Sequence, residues 1–330
     1  MRKYNFNYLF NGYLVNIETT NPEDILGFNL KFGVFFKDYV TGKIDLCKIL
    51  DVFKVSIERE KIIQESFYNA FSSNYIETTF KSSQFYRIDN IVIENYKGKI
   101  NIETNLNTNK CKIQISPKFA ENKNIIGTLV NKHFSIFLFE KGVCFLHASA
   151  IAKNNISVIT SGLGGSGKST IACVANGLGF EVLSDDKTAI DTNKWTILNS
   201  LSSIGFDARC KIQPCETSFD FQNVVREEKK NYYCLSNNAK GGNETKLLNN
   251  YLLLPVITDR IKPNAYEVNC EEAYRLLLKA NSYSAQLYQN DYLDFLLKLC
   301  KNSKCYRLFL TKTRNSLDYI SSLLQTFCEE

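Results

Sequence analysis

The chain has 330 residues, a length that at usual domain sizes favours two domains. Hydrophobic residues make up 44% and charged residues 22%, a composition that excludes a wholly disordered chain, a collagen-like chain and a coiled-coil rod. The formal net charge of +6 is spread along the chain without a long basic run, so nucleic-acid binding is not predicted.

Cysteine usage and the lack of a targeting segment predict a cytoplasmic protein. The eleven cysteines are an odd number and contain no C-x-x-C pair, so we expect reduced, mostly buried thiols and neither disulfides nor a zinc site. Residues 1–7 lack the apolar stretch of a signal peptide. The most apolar segment, residues 134–152, is interrupted by Glu140-Lys141 and contains His147. It is therefore predicted not to span a membrane.

The first part of the chain, residues 1–121, is predicted to form a β-rich domain. Apolar runs alternate there with Asn, Gly, Asp and Lys, as in short strands joined by turns. We expect strands at residues 8–10, 28–36 and 91–93, a turn at Asn11-Gly12, and a hairpin that pairs residues 99–103 with 110–115. This part carries no catalytic motif. Its expected role is substrate recognition or assembly, which leaves a homo-oligomer open.

A helix is predicted over residues 122–139, at the start of a second domain that covers residues 122–330. Ile126, Leu129, Phe134 and Phe137 recur there at helical spacing. His133 lies within this apolar pattern, and we interpret it as a hydrogen-bonded core residue and not as a catalytic one.

A hairpin followed by a glycine-rich loop is predicted next. Residues 143–152 and 156–160 are apolar runs separated by the turn Lys153-Asn154-Asn155. A helix over residues 170–177 and a strand over residues 180–184 follow the loop. Farther along we expect strands at residues 251–257 and 305–310, and helices at residues 271–280, 291–300 and 316–327. This alternation predicts an α/β fold.

Six of the sixteen glycines lie between residues 162 and 179, and four of them belong to a phosphate-loop (Walker A) motif. The segment GLGGSGKS, residues 162–169, fits the pattern G-x-x-x-x-G-K-[ST] between a predicted strand and a predicted helix. Glycines let backbone N–H groups surround an anion, and the start of the helix adds positive potential.

Lys168 would reach the β- and γ-phosphates of ATP, Ser169 would bind Mg²⁺, and Thr170 would lie over the α-phosphate. The alternative is a glycine-rich turn that binds no ligand. The residues expected to contact a nucleoside triphosphate are Gly162, Gly164, Gly165, Ser166, Gly167, Lys168, Ser169 and Thr170.

Two adjacent carboxylates, Asp185 and Asp186, directly follow the next predicted strand. The carboxyl end of that strand would lie beside the phosphate loop, at the edge where α/β sheets bind ligands. One carboxylate could take a proton from an attacking hydroxyl while the other binds Mg²⁺. The alternative is a helix cap or a solvated turn. Proximity to the phosphate loop favours the catalytic interpretation.

The order of these motifs resembles the superfamily of HPr kinase/phosphorylase and ATP-type phosphoenolpyruvate carboxykinase. The resemblance is carried by residues 146–150 (LHASA), 161–170 (SGLGGSGKST) and 179–186 (GFEVLSDD). Small metabolite kinases also have a carboxylate pair close to the loop, but they begin at the loop, whereas residues 1–160 precede it here. The resemblance implies a P-loop kinase domain after a smaller β-rich domain. It also implies that Asp185 is the general base and Asp186 a metal partner with Ser169, although the two aspartates could be exchanged.

The same resemblance implies that His147 stands close to the reacting groups. Without the resemblance, a histidine within an apolar strand is equally well explained as a hydrogen-bonded core residue. The Gly-Arg-Asn loop of HPr kinase/phosphorylases does not occur after the aspartate strand. The chain is thus more similar to HPr-kinase-like proteins of peptide-modification pathways, some of which resemble serine kinases.

The expected activity is Mg²⁺-dependent phosphoryl transfer from ATP to a hydroxyl group. The acceptor would be Ser or Thr of a peptide or small protein, including a ribosomally made precursor peptide, or free serine. The alternatives are HPr kinase/phosphorylase proper, a carboxykinase acting on oxaloacetate, and a nucleotide-binding regulatory or scaffold protein without catalysis.

A polar stretch in the second half is a candidate lid over the triphosphate. Gly241-Gly242 is flanked by lysines, and such a loop could close and supply a cation. The alternative is an ordinary solvated loop. The candidate cations are Arg209, Arg226, Lys246 and Arg260.

Overall fold

The computed structural model describes residues 3–25, 37–38, 49–59, 76–80, 83–117, 119, 124–200, 203–207, 221–226, 230–235, 245–246, 249–259 and 262–329. Over these residues the chain is a mixed α/β protein with several sheets and five α-helices. Its contacts divide it into two units, Met1–Lys141 and Gly142–Glu330.

The first unit is built on a nine-stranded sheet. Its strands are β1 (Tyr4–Phe10), β2 (Tyr13–Thr19), β3 (Lys37–Asp38), β4 (Asp51–Arg59), β5 (Ile76–Phe80), β6 (Ser83–Ile88), β7 (Ile91–Tyr96), β8 (Ile100–Asn105) and β9 (Lys110–Ile115), with a 3₁₀ turn at Pro22–Ile25. The strand order is β3-β1-β2-β4-β9-β8-β7-β6-β5. Strand β4 is parallel to both of its neighbours, β2 and β9, and the other neighbouring pairs are antiparallel.

A turn, a strand and a hairpin that were predicted for this unit are confirmed. Asn11 and Gly12 have φ of 44° and 89°, the left-handed values that a two-residue hairpin turn needs, and they join β1 to β2 as predicted. The strand predicted at residues 91–93 is confirmed by β7, and the predicted hairpin is confirmed by β8 and β9. The strand predicted at residues 28–36 lies outside the described residues.

Helix α1 (Asn124–Glu140) packs on this sheet through aromatic side chains. The ring centroids of Phe134 and Phe137 lie 5.8 Å and 5.0 Å from that of Phe53, and the Phe137 ring lies 6.1 Å from that of Tyr13. The helix is therefore part of the first unit, because its apolar face is covered by β2 and β4. The sequence had predicted a boundary between residues 121 and 122, before the helix. The contacts place the division after it, between Lys141 and Gly142.

His133, on α1, is a core residue as predicted. Its ring is fully buried, with Thr104 Oγ1 2.7 Å from Nδ1 and Glu94 Oε2 3.1 Å from Nε2. Burial and two hydrogen bonds explain its position without a catalytic role.

The second unit contains three sheets and four helices within the described residues. Its strands are β10 (Val143–Leu146), β11 (Ala148–Lys153), β12 (Ile156–Ser161), β13 (Glu181–Ser184), β14 (Thr188–Asp191), β15 (Thr196–Leu198), β16 (Ser203–Asp207), β17 (Phe221–Arg226), β18 (Lys230–Leu235), β19 (Thr245–Lys246), β20 (Asn249–Ile257), β21 (Asn264–Glu267) and β22 (Ser303–Leu310). Its helices are α2 (Lys168–Gly177), α3 (Cys270–Ala280), α4 (Ser282–Lys301) and α5 (Arg314–Glu329).

The central sheet of this unit has six strands in the order β13-β11-β12-β20-β22-β21. Strands β12, β20 and β22 run parallel to one another. Smaller sheets have the orders β10-β14-β15-β19 and β16-β18-β17. The strands and helices predicted after the glycine-rich loop are confirmed, although α4 starts well before the predicted residue 291 and has a non-helical residue at Gln289.

The central sheet is covered on both faces. Successive residues Leu252 and Leu253 of β20 are both fully buried, although their side chains point to opposite faces. Helices α2 and α5 share one apolar cluster with these strands, in which the Phe327 ring stacks 4.0 Å from that of Tyr251. Helix α3 contacts β20 and β22, and α4 contacts β22 and β10. Strand β12 is packed between β11 and β20 in this sheet and leads directly into the phosphate loop.

The predicted hairpin before the loop needs one correction. Strands β11 and β12 form the hairpin as predicted, with a turn at Asn154 and Asn155. The apolar run of residues 143–152 is not a single strand, because it breaks at His147 into β10 and β11, which belong to different sheets. His147 therefore lies at a strand break and not within a strand.

Two further features concern thiols and membranes. Each cysteine whose side chain is described is a free thiol, and all of these except Cys270 and Cys328 are buried. No helix among the described residues is long and apolar enough to cross a membrane.

Candidate active site

The phosphate loop connects the end of β12, at Ser161, to the start of α2, at Lys168. Gly165 and Gly167 have φ of +78° and +103°, backbone conformations that favour glycine. A Cβ on Gly167 would lie 3.2 Å from Leu310 Cδ1, whereas a Cβ on Gly164 or Gly165 would meet no described atom within 4 Å. The loop thus packs against the sheet at one end and leaves its middle open.

Ser166, inside the loop, holds an unsatisfied hydroxyl. Its Oγ is buried and has no hydrogen-bond partner among the residues that the structure describes. Buried hydroxyls normally have a partner. An anion in the loop could accept this hydrogen bond.

Lys168 is buried and its Nζ is held by three acceptors. It donates to Gly162 O at 2.8 Å and to Leu163 O at 3.2 Å, and it lies 2.9 Å from His147 Nε2. An ammonium group can only donate hydrogen bonds, so Nε2 of His147 accepts this bond. The imidazole therefore carries its proton on Nδ1. That Nδ1 lies 3.7 Å from Asp186 Oδ1. His147 therefore lies between the loop lysine and the second aspartate.

The two aspartates have different surroundings. Asp185 is buried and accepts from Ser169 Oγ through both oxygens, at 3.1 Å and 2.9 Å. The Asp186 side chain is 46% exposed and its φ is +65°, an uncommon value for a residue other than glycine. Strained backbone of this kind is concentrated at functional sites, where it redirects a side chain. Here the change of direction separates two neighbouring carboxylates.

Lys187 was not identified from the sequence. Its Nζ lies 4.0 Å from the centroid of the Phe145 ring. Burial lowers the pKa of the Lys187 ammonium to about 7, and the Asp186 carboxylate opposes this shift. The sequence signal was its position directly after the aspartate pair, but the burial that distinguishes it from a surface lysine depends on the tertiary fold.

Asn281 was also missed. It lies between α3 and α4, and its Oδ1 accepts from the His147 backbone N–H at 2.7 Å. Since no motif surrounds it and the contact spans 134 residues of sequence, no local signal could have identified it.

The structure brings together most of the residues predicted for the site. His147 contacts Lys168 and Asp186, and Ser169 contacts Asp185. The two groups are neighbours because Lys168 precedes Ser169 and Asp185 precedes Asp186 in the chain. Thr170 lies in the first turn of α2 and is half-buried. The centre of the candidate lid, residues 236–244, lies outside the described residues, as do Arg209 and Arg260. Arg226 and Lys246 lie on β17 and β19, and their side chains are not described.

Oxygen ligands at this site fit Mg²⁺. Ser169 Oγ and the Asp185 carboxylate are hard donors of the kind that Mg²⁺ prefers. The described residues contain no group of three or more His, Cys, Asp or Glu side chains that could hold a metal on their own. A Mg²⁺ ion bound with a nucleotide does not need such a group, because phosphates and water complete its coordination.

No model of a known protein family matches the chain, and no curated protein matches it. Its function is therefore inferred from the site itself.

Proposed function

We propose that the protein is a Mg²⁺-dependent kinase that transfers the γ-phosphoryl group of ATP to an alcohol. The acceptor class is Ser or Thr of a peptide or small protein, or free serine. The observation that carries the proposal is the contact between Ser169 Oγ and both oxygens of Asp185 beside a phosphate-loop lysine. A glycine-rich turn without a ligand has no need of this pairing.

The loop would bind the phosphates of ATP. The open middle at Gly164 and Gly165 leaves room for an anion next to backbone N–H groups, and the Ser166 hydroxyl is available as a donor. Lys168 would exchange its contacts with Gly162 O and Leu163 O for phosphate oxygens.

Ser169 and Asp185 would hold the metal. When bound, Mg²⁺ neutralises charge on the transferring phosphoryl group and on the departing ADP. The buried position of Asp185 and its contact with Ser169 support this role. This assignment exchanges the roles that the resemblance favoured for the two aspartates.

Asp186 would be the general base. Its half-exposed carboxylate is open to an acceptor hydroxyl, whereas that of Asp185 is buried and already bonded to Ser169. In the proposed step the acceptor oxygen forms a bond to the γ-phosphorus, the bond from that phosphorus to ADP breaks, and the hydroxyl proton moves to Asp186. His147, neutral and in contact with Lys168 Nζ, would keep the lysine and Asp186 on either side of the transfer path.

The second unit would have the P-loop kinase fold of the HPr kinase type. The parallel strands β12, β20 and β22 and the loop between β12 and α2 support this assignment. The β-rich first unit would recognise the acceptor or mediate assembly. We assign the protein to the cytoplasm, where ATP is supplied and free thiols persist.

Transfer of label tests the proposal. The purified full-length protein is incubated with Mg²⁺, γ-labelled ATP and either free serine or a library of Ser- and Thr-containing peptides. We expect labelled phosphoserine or phosphothreonine from the wild type and none from Lys168→Met. A matched carboxylate control is Asp318→Asn, on the exposed surface of α5, which should behave as the wild type. If ATP binds but no hydroxyl acceptor is labelled, the protein is a nucleotide-binding regulatory protein and not a kinase.

A further inference from the structure

The backbone of His147 is held by side chains and not by a strand ladder. It lies between β10 and β11, which belong to different sheets. Its N–H donates to Asn281 Oδ1 at 2.7 Å, and its carbonyl accepts from Ser161 Oγ at 3.0 Å. Both backbone groups of the histidine are thus satisfied by two polar side chains from other elements.

Asn281 closes this arrangement into a ring of hydrogen bonds. Its Nδ2 donates to Ser161 Oγ at 3.3 Å and to Leu277 O at 2.9 Å. The ring therefore runs from Asn281 Nδ2 to Ser161 Oγ, from Ser161 Oγ to the His147 carbonyl, and from the His147 N–H to Asn281 Oδ1. Asn281 is 3% exposed, so water does not compete for these bonds. A carboxamide has separate acceptor and donor atoms, so Asn281 can accept from His147 and donate to Ser161 at the same time.

The ring joins the two parts of the chain that hold Lys168. Ser161 is the last residue before the phosphate loop, whose Gly162 carbonyl accepts from Lys168 Nζ. The His147 imidazole supplies the acceptor Nε2 on the other side. Displacement of either backbone would move an acceptor of the lysine.

We propose that Asn281 is a positioning residue for phosphoryl transfer. It fixes His147 against Ser161, and through His147 it sets the position of the imidazole between Lys168 Nζ and Asp186. This inference rests on the proposed kinase function for its catalytic consequence, but the effect on the His147 ring is independent of turnover. Asn281 itself contacts neither the loop glycines nor the aspartates in the hydrogen bonds described for it, so it acts through another residue.

Kinetics with a double-mutant cycle separate positioning from general stability. For Asn281→Ala we expect kcat to fall about tenfold or more, as small misplacements of reacting groups do, with little change in the KM for ATP. In a His147→Ala background the same substitution should have little further effect on kcat. An equal loss in both backgrounds would overturn the proposal. The matched control is Asn302→Ala, at the end of α4, which removes an exposed carboxamide that donates to Lys298 O as Asn281 donates to Leu277 O, and which should retain wild-type kcat.

Ser161→Ala is the second variant, because Asn281→Ala removes a larger buried polar group. It opens the same ring with a smaller change in volume, and we expect a smaller loss of kcat in the same direction. Fluorescence of the single tryptophan, Trp195, which lies in the second unit, reports whether each variant is folded. If Ser161→Ala is folded and has wild-type kcat, the ring does not position the site.

NMR gives a test that needs no turnover. The chain has two histidines, and His133 is buried in the first unit, so the ring signals of His147 can be assigned by substitution. Lys168→Met should move the ¹⁵N signals of the His147 ring in the wild type, because it removes the contact to Nε2. In the Asn281→Ala background, the shift change caused by Lys168→Met should be less than half of the change seen in the wild-type background. An undiminished response overturns the positioning role, whereas an absence of kinase activity with a diminished response would contradict only the proposed function.

Discussion

Ser169 Oγ contacts both carboxylate oxygens of Asp185, at 2.9 Å and 3.1 Å, and so joins the first turn of α2 to the residue that follows β13. The neighbouring Asp186 turns away with a φ of +65° and lies 3.7 Å from His147 Nδ1. Two adjacent carboxylates thus occupy different environments, which permits different chemical roles.

Separate substitutions of the two aspartates should give different defects. Asp185→Asn removes the charge next to Ser169, so we expect the affinity for ATP in the presence of Mg²⁺ to fall about 10- to 100-fold. Asp186→Asn should leave this affinity nearly unchanged and lower kcat about 10²- to 10⁴-fold, as the loss of a general base does. Calorimetry with and without Mg²⁺, together with label transfer, measures both quantities.

The opposite result would return the two roles to those that the family resemblance favours. In that case Asp186→Asn weakens Mg²⁺-dependent binding and Asp185→Asn retains it. Asp318→Asn provides the control for a carboxylate-to-amide change on an exposed helix.

The features that could be predicted are those encoded in short stretches of sequence. The phosphate loop and the aspartate pair follow local patterns, and the hairpin turn at Asn11-Gly12 depends on the conformational freedom of two adjacent residues. The contact of Asn281 with His147 joins residues 134 positions apart, and it arises from packing that no local pattern specifies. The side of the division on which α1 lies is not encoded locally for the same reason, because the aromatic residues of α1 show that a helix has an apolar face but not which sheet covers it.

The loop glycines should differ in their tolerance of a side chain. Gly167→Ala places a Cβ 3.2 Å from Leu310 Cδ1 at a φ of +103°, so we expect a loss of stability of about 1–3 kcal/mol. Gly164→Ala meets no described atom within 4 Å and should leave the free energy of unfolding unchanged. Denaturation of the nucleotide-free protein, followed by Trp195 fluorescence, compares the two. Equal stability of both variants would show that the loop does not hold this conformation in solution.

Lys187 should react with amine-directed reagents at unusually low pH. Because burial lowers the pKa of Lys187 to about 7, the amine should be unprotonated in half of the molecules near that pH. The extent of labelling should therefore follow a titration curve with that midpoint. The Asp186 carboxylate favours the protonated form, so Asp186→Asn should move the midpoint lower. Mass spectrometry of the labelled peptide measures the midpoint. A midpoint near the ordinary lysine value of 10.5 would contradict this environment.

The buried cluster around Glu94 in the first unit should contribute strongly to stability. Glu94 is fully buried, and its Oε1 accepts from Lys132 Nζ at 2.6 Å while His133 Nε2 lies 3.1 Å from Oε2. Glu94→Gln leaves the largely buried Lys132 ammonium without its counter-charge, and we expect a loss of about 3–5 kcal/mol. Hydrogen exchange of β8 and β9 reports on this unit. Glu18→Gln, which removes the charge from the exposed pair with Lys3, is the control and should change the exchange little.

The same cluster should make the first unit sensitive to acid. Burial lowers the pKa of His133 below its ordinary value of 6.5. Burial also acts to raise the pKa of Glu94, but the His133 hydrogen bond and the Lys132 charge outweigh it, so that pKa lies below 4.5. Both groups therefore bind fewer protons in the folded chain than in the unfolded chain, and the free energy of unfolding falls as the pH drops below 6.5 and again below 4.5. Exchange rates of β8 and β9, corrected for intrinsic rates, should rise through both ranges. Rates that stay constant from neutral pH to below 4.5 would show that neither group has a lowered pKa in the folded state.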